Sequence, residues 1–148
     1  MREHFRASGT AAFEIAQFMV GQDYAGIGTS GMDADGDPSM ALVIPSAQYR
    51  TDYTFLAPLT YAQSYVNIIA PSTASVMLDG VALDDAALTG GWSAIGSTGM
   101  RVGRVAIEGG VHTVTSGSPV GILVYGFGRY TSYMLPGGLD LESINPLI

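Results

Sequence analysis

The sequence predicts an all-β protein, an antiparallel β-sandwich with Greek-key or jelly-roll-like connections. Three observations predict it. Twenty glycines and seven prolines interrupt the chain at short intervals, and no capped stretch with a helical period reaches ten residues. Short runs rich in β-branched and aromatic residues recur at roughly 8–12-residue spacing, the rhythm of sandwiches and barrels. Between such runs stand Asp79-Gly80 and Gly109-Gly110, residue pairs suited to tight turns with positive φ.

The stretch 36–57 organises the chain. Two apolar runs, 40–44 and 53–57, flank a polar link, 45–52, which is long enough to pass from one sheet to another. The expected strands are 5–7, 13–20, 40–44, 53–57, 65–70, 75–78, 93–96, 101–107, 111–115, 120–127 and a short 133–135. Residues 75–78 and 101–107 alternate apolar and polar, so one face is wet. Residues 65–70 and 121–125 are nearly all apolar, as central strands are. One-turn helical pieces are expected near 60–63 and 84–88. The connection 21–38 is longer than most loops of compact domains, which marks it as functional or mobile. The expected core is Ile15, Phe18, Leu42, Ile44, Phe55, Val66, Ile68, Val105, Ile122 and Val124. Phe13, Ile15, Phe18 and Gly21 echo Val120, Ile122, Tyr125 and Gly128 in spacing, which reads either as two equivalent strands or as chance.

Length and composition bound the function. At 148 residues the chain fits a single domain over 1–148 with a substantial core. The formal net charge is −7, all six bases are arginines, and lysine is absent. No basic patch is available to neutralise phosphates, so a nucleic-acid partner is not expected. No apolar run approaches the roughly 20 residues of a membrane helix, so no membrane insertion is expected. Cysteine is absent, which excludes disulfides, thiolate metal sites and cysteine nucleophiles. The N-terminus lacks the apolar segment of a signal peptide, and both ends stop abruptly. The chain therefore reads as a piece excised from a larger surface protein.

Few constellations carry chemistry. Asp33, Asp35 and Asp37 alternate in a glycine-containing loop, a pattern that can converge on a hard cation such as Ca²⁺. The spacing departs from the EF-hand loop, and the plainer reading is a solvated acidic loop. Asp84-Asp85 reads as a turn. His112, in mid-strand, reads as a partly buried residue bonded to backbone rather than a catalyst. No Gly-x-Ser-x-Gly elbow occurs, and no glycine-rich piece opens a helix to hold phosphate. Tyr24, Trp92, Tyr130 and Tyr133 fall in glycine-rich loops or at strand ends. They are candidate ligand-binding aromatics or lids on the ends of the core.

Several stretches together resemble the IgGFc-binding protein N-terminal domain family. They include Ala16-Gln17-Phe18-Met19-Val20-Gly21-Gln22, Gly36-Asp37-Pro38-Ser39-Met40, Gln48-Tyr49-Arg50-Thr51-Asp52-Tyr53-Thr54-Phe55-Leu56 and Val124-Tyr125-Gly126-Phe127. Tyr65-Val66-Asn67-Ile68-Ile69-Ala70-Pro71, Ile95-Gly96-Ser97-Thr98-Gly99 and Tyr133-Met134-Leu135-Pro136-Gly137-Gly138-Leu139 extend the ordered match. The resemblance implies an extracellular or cell-surface all-β module with a role in adhesion and protein binding and no catalysis. It supplies no catalytic residue to carry over. It also implies that the chain starts part-way into the family domain, leaving an apolar strand edge open. The sequence thus leads to three readings. The first is a non-catalytic extracellular module recognising a protein or glycan. The second is a structural surface-assembly subunit that forms homo-oligomers through exposed strand edges. The third is an enzyme acting on glycans.

Overall fold

The computed structural model describes residues 4–21 and 36–140. Ten strands follow in order. They are β1 (Ala16–Phe18), β2 (Met40–Leu42), β3 (Arg50–Ala57), β4 (Gln63–Pro71) and β5 (Val76–Leu78), then β6 (Val81–Ala82), β7 (Ser93–Ala94), β8 (Met100–Ile107), β9 (Gly110–Gly128) and β10 (Thr131–Pro136). Two 3-10 turns, Ser46–Gln48 and Asp85–Ala87, are the only helical pieces among the described residues. The second is capped by Asp84, whose carboxylate accepts from the Ala87 N–H at 3.0 Å. The turn expected near 84–88 is therefore present, whereas Gln63 already begins β4. The architecture is an all-β, antiparallel sandwich.

The longest strand joins its two layers. The first half of β9 pairs with β3 and β5, and its second half pairs with β4 and β10. The two halves, expected as separate strands, are continuous because the intervening Ser116-Gly117-Ser118-Pro119 is a bulge and not a turn. Between the pairs Asp52–Thr115 and Arg50–Val120, β9 carries residues 116–119 opposite Thr51 alone. Extra residues on one strand bend it, and a proline without an N–H and a glycine suit that bend. The chain so changes sheets without breaking. The Glu108–Gly109 turn is not a hairpin, since β8 and β9 each pair with β4 and not with one another. The Asp79-Gly80 turn does form its hairpin, with φ of 51° and 78°.

The two-residue period decides what is buried. Val66, Ile68 and Ala70 of β4, Val105 of β8, and Val120, Ile122 and Val124 of β9 face inward. They meet Tyr53, Val76, Leu78 and Val114 from the other layer in one core. Phe55 packs against the edge of this core. Several glycines act as seats for rings: Trp92 lies on Gly103, Tyr49 on Gly121 and Tyr133 on Gly126.

The N-terminal part departs from expectation. Residues 5–7 form no strand, and of 13–20 only Ala16–Phe18 does. β1 pairs with β2 alone, as a two-stranded ribbon. Phe18 and Leu42 are exposed and Ile15 and Ile44 are half-buried, so none of these four joins the central core. A ribbon two strands wide has one inner face, and that face carries Gln17 and Ala41. The echo between 13–21 and 120–128 is not a structural equivalence, because one is a short ribbon strand and the other is half of β9.

Candidate binding face

The outer face of the β8–β4–β9 sheet carries a ladder of aromatic side chains. Its position follows from register. Val66 and Val124 point into the core, so Tyr65, Asn67 and Gln63 of β4 and Tyr125 and Phe127 of β9 point outward. Tyr65 stands directly opposite Tyr125, Gln63 opposite Phe127, and Asn67 opposite Arg104 of β8. Directly opposed aromatic residues on one face of an antiparallel pair interact. Tyr65 and Tyr125 stack with centroids 5.5 Å apart, and Phe127 meets their edges at 6.3 and 5.9 Å. The Arg104 guanidinium lies over the Tyr65 ring, 5.7 Å from its centroid.

Hydrogen bonds lock the ladder. The Tyr65 hydroxyl donates to Gln63 Oε1 at 3.1 Å and that of Tyr125 to Asn67 Oδ1 at 3.2 Å. Burial pushes the Tyr125 phenol up, against the opposing pull of Arg104, so it remains a donor at neutral pH. All three rings are half-buried. The two tyrosines are amphipathic, and all three rings are packed on one another. Sequence reading took 65–70 and 121–125 as buried central strands and passed over this face. The available signal was parity: Tyr65 and Tyr125 both occupy the phase opposite to the core valines.

The aromatics singled out from sequence lie elsewhere, and those described do not converge. Trp92 stands beside β7 and β8. Its backbone N–H donates to Asp85 Oδ1 at 3.0 Å, and Arg101 sits 4.0 Å from its ring centroid. The Arg101 Nη2 donates to the Ala74 carbonyl at 2.7 Å, so this pair closes one end of the core. Tyr133 lies on β10 at the opposite edge of the same sheet, buried, and its hydroxyl donates to Ser64 Oγ at 2.9 Å. Tyr130 is exposed in the β9–β10 turn at φ 54°, with Arg129 against its ring. Tyr24, Asp33 and Asp35 lie outside the described residues. Asp37 is exposed, and its N–H donates to Ser132 Oγ at 2.9 Å.

His112 holds two turns together. Its Nδ1 is 2.7 Å from Asp79 Oδ2, and its Nε2 is 2.9 Å from the Glu108 carbonyl. The ring stacks on Phe55 at 5.6 Å. Asp79 also accepts from the Thr113 N–H at 2.7 Å. With an acceptor facing each nitrogen, the imidazole is engaged on both sides, and in its protonated form it donates to both. Burial pulls the His112 pKa down, but the Asp79 hydrogen bond, the Glu108 carbonyl and the Asp79 charge together raise it. Burial likewise raises the Asp79 pKa, and the His112 and Thr113 contacts outweigh it to give a lowered value.

The signs fix a pH window. A raised histidine pKa contributes stability in full below its unfolded value, about 6.5, and loses it as pH climbs through the folded value. A lowered aspartate pKa contributes in full above about 3.9 and fades as pH falls through its folded value. The clip is therefore strongest between about pH 4 and 6.5. The melting temperature should fall from pH 6 to 8, and His112→Gln should flatten that slope. A wild-type Tm unchanged over this range would show that the clip carries no charge.

No helix among the described residues is long and apolar enough to cross a membrane. Residues 3–126 match the family model described as IgGFc binding protein. No curated protein and no solved structure matches the chain.

Proposed function

Since the chain belongs to the IgGFc-binding protein family, a family of protein-binding domains, we propose that it is a non-catalytic extracellular adhesion module. Its ladder of Tyr65, Tyr125, Phe127 and Arg104 is the surface that grips a protein partner. The observation that carries this reading is the locked stack on the outer sheet face. Tyrosine and arginine dominate protein-binding hot spots, and pre-ordered side chains lose little entropy on association. A protein fits this surface better than a glycan does. Sugar rings lie flat on open aromatic faces, whereas the Tyr65 faces are taken by Tyr125 and Arg104, leaving ring edges, hydroxyls and amides to the outside.

Paired arrays test the reading. The purified chain is screened on extracellular proteins, IgG Fc among them, and on glycans. Protein signals should appear and fall at least about tenfold in Tyr125→Ala and Arg104→Ala, the loss expected of hot-spot residues, while both variants keep a cooperative melt. Binding to glycans alone, or protein binding untouched by both variants, overturns it.

A further inference from the structure

We propose that the protein partner gripped by the aromatic ladder is acidic, a segment whose carboxylates are taken by Arg104 and the side-chain amides beside it. This rests on the reading of the ladder as the gripping surface and names the chemistry of its partner. Two independent features of the face carry it, its charge and its hydrogen-bond polarity.

Acids outnumber bases 13 to 6 in the chain, yet none lies in β4, β7, β8, β9 or β10. Arg101 and Arg104 stand on β8, and Arg129 follows β9. Arg101 is engaged by the Ala74 carbonyl and the Trp92 ring. Among the described residues the ion pairs join Arg50 to Asp52 and His112 to Asp79. Arg104 and Arg129, both exposed, are therefore left without a carboxylate among those residues. Acids stand only at the margins of this sheet. Glu108 follows β8, Asp37 donates its N–H to Ser132 of β10, and the Asp85 carboxylate takes the Trp92 N–H. Charges more than about 8 Å apart are largely screened at physiological ionic strength. A partner on the ladder thus responds to the groups it touches more than to the net charge of −7.

Hydrogen-bond polarity points the same way. The Tyr65 and Tyr125 hydroxyls donate to Gln63 Oε1 and Asn67 Oδ1. The amide oxygens are thereby engaged, and the Gln63 and Asn67 NH2 groups are left as donors with no acceptor among the described residues. The Arg104 guanidinium adds its fork of N–H donors. It lies over the Tyr65 ring, and a guanidinium stacked on an aromatic face keeps its N–H edges for a carboxylate. Asn67 and Arg104 are direct cross-strand neighbours on this face, close enough for one carboxylate to accept from both. Arg129, two residues past Phe127 and against the Tyr130 ring, continues the basic side of the ladder. The face is rich in donors and short of acceptors, and an ionised Asp or Glu side chain supplies the acceptors together with the opposite charge.

Fluorescence anisotropy on the whole chain tests the proposal. The probes are labelled peptides that repeat Glu-Tyr-Gly, Gln-Tyr-Gly or Arg-Tyr-Gly, and polysialic acid as a carboxylate polymer without a peptide. The glutamate peptide should bind at least about tenfold more tightly than the glutamine peptide, with the arginine peptide weakest. That preference should shrink as salt rises. Arg104→Gln should cut it at least about fivefold, and Arg104→Glu should turn it toward the arginine peptide. Both variants, altered at an exposed site, should keep the wild-type melt. Tyr125→Ala separates this inference from the reading beneath it. Peptides that bind without regard to glutamate, or a preference undiminished in Arg104→Gln, overturn the acidic partner; where Tyr125→Ala still abolishes that binding, the ladder stands as the gripping surface. Binding untouched by Tyr125→Ala overturns both. No peptide binding, or polysialic acid bound in place of the glutamate peptide, also overturns the proposal.

Discussion

Ile122→Ala should lower the unfolding free energy by about 2–5 kcal/mol, the range for emptying a well-packed aliphatic site. Ile122 is 4% exposed and lies opposite Ile68 in the central pair of strands. The surroundings have little freedom to collapse into the space. β9 is hydrogen-bonded on both sides here, to β4 and to β10. Beyond β10 the Gly137 backbone lies directly on the Ile122 side chain, and its N–H donates to the Ile122 carbonyl at 3.0 Å. A cavity bounded by fixed backbone keeps most of its volume, which places the loss high in the range. Leu59→Ala is the control: at 81% exposure it should cost under about 0.5 kcal/mol. Urea unfolding of the three proteins measures the difference through the midpoint, at constant slope. A loss at Ile122 as small as that at Leu59 would show that β9 does not sit at the centre of the core.

What the sequence reveals of this fold follows from how local each feature is. The inward phase of Val66, Ile68, Val105, Ile122 and Val124 is written in residues two apart, and the Asp79-Gly80 hairpin in two adjacent residues. Both are legible without knowing which strand neighbours which. The continuity of β9 is not, because Ser-Gly-Ser-Pro satisfies the composition of a turn and only pairing with β3 and β5 on one side, and β4 on the other, makes it a bulge. Phe18 and Leu42 read as core because apolar residues most often are. Whether a second layer covers them is a property of the assembly and not of the segment. The ladder is intermediate. Parity assigns Tyr65 and Tyr125 each to an outer face, but only the register brings the two rings together under Arg104.

Tyr53→Phe should cost about 1–3 kcal/mol, although it removes a single oxygen. Arg50 and Val120 form the register pair beyond the bulge in β9, and the Tyr53 hydroxyl bridges a backbone group of each. It accepts from the Arg50 N–H at 3.0 Å and donates to the Val120 carbonyl at 2.5 Å. Val120 is fully buried, so its carbonyl has no ready access to water when the hydroxyl is gone. A buried acceptor left unpaired carries its whole desolvation penalty, which exceeds the net worth of an ordinary hydrogen bond. Burial also raises the Tyr53 phenol pKa, over the lowering effects of the Arg50 N–H and charge, so the group stays protonated and able to donate far above neutral pH. For a chain of this size each kcal/mol moves Tm by about 2–4 °C. Tyr65→Phe, which loses only an exposed bond to Gln63, should melt within about 1–2 °C of wild type on the same scale. If Tyr53→Phe melts with Tyr65→Phe, solvent reaches the corner of β9, and the change of sheets at residues 116–119 does not depend on this hydroxyl.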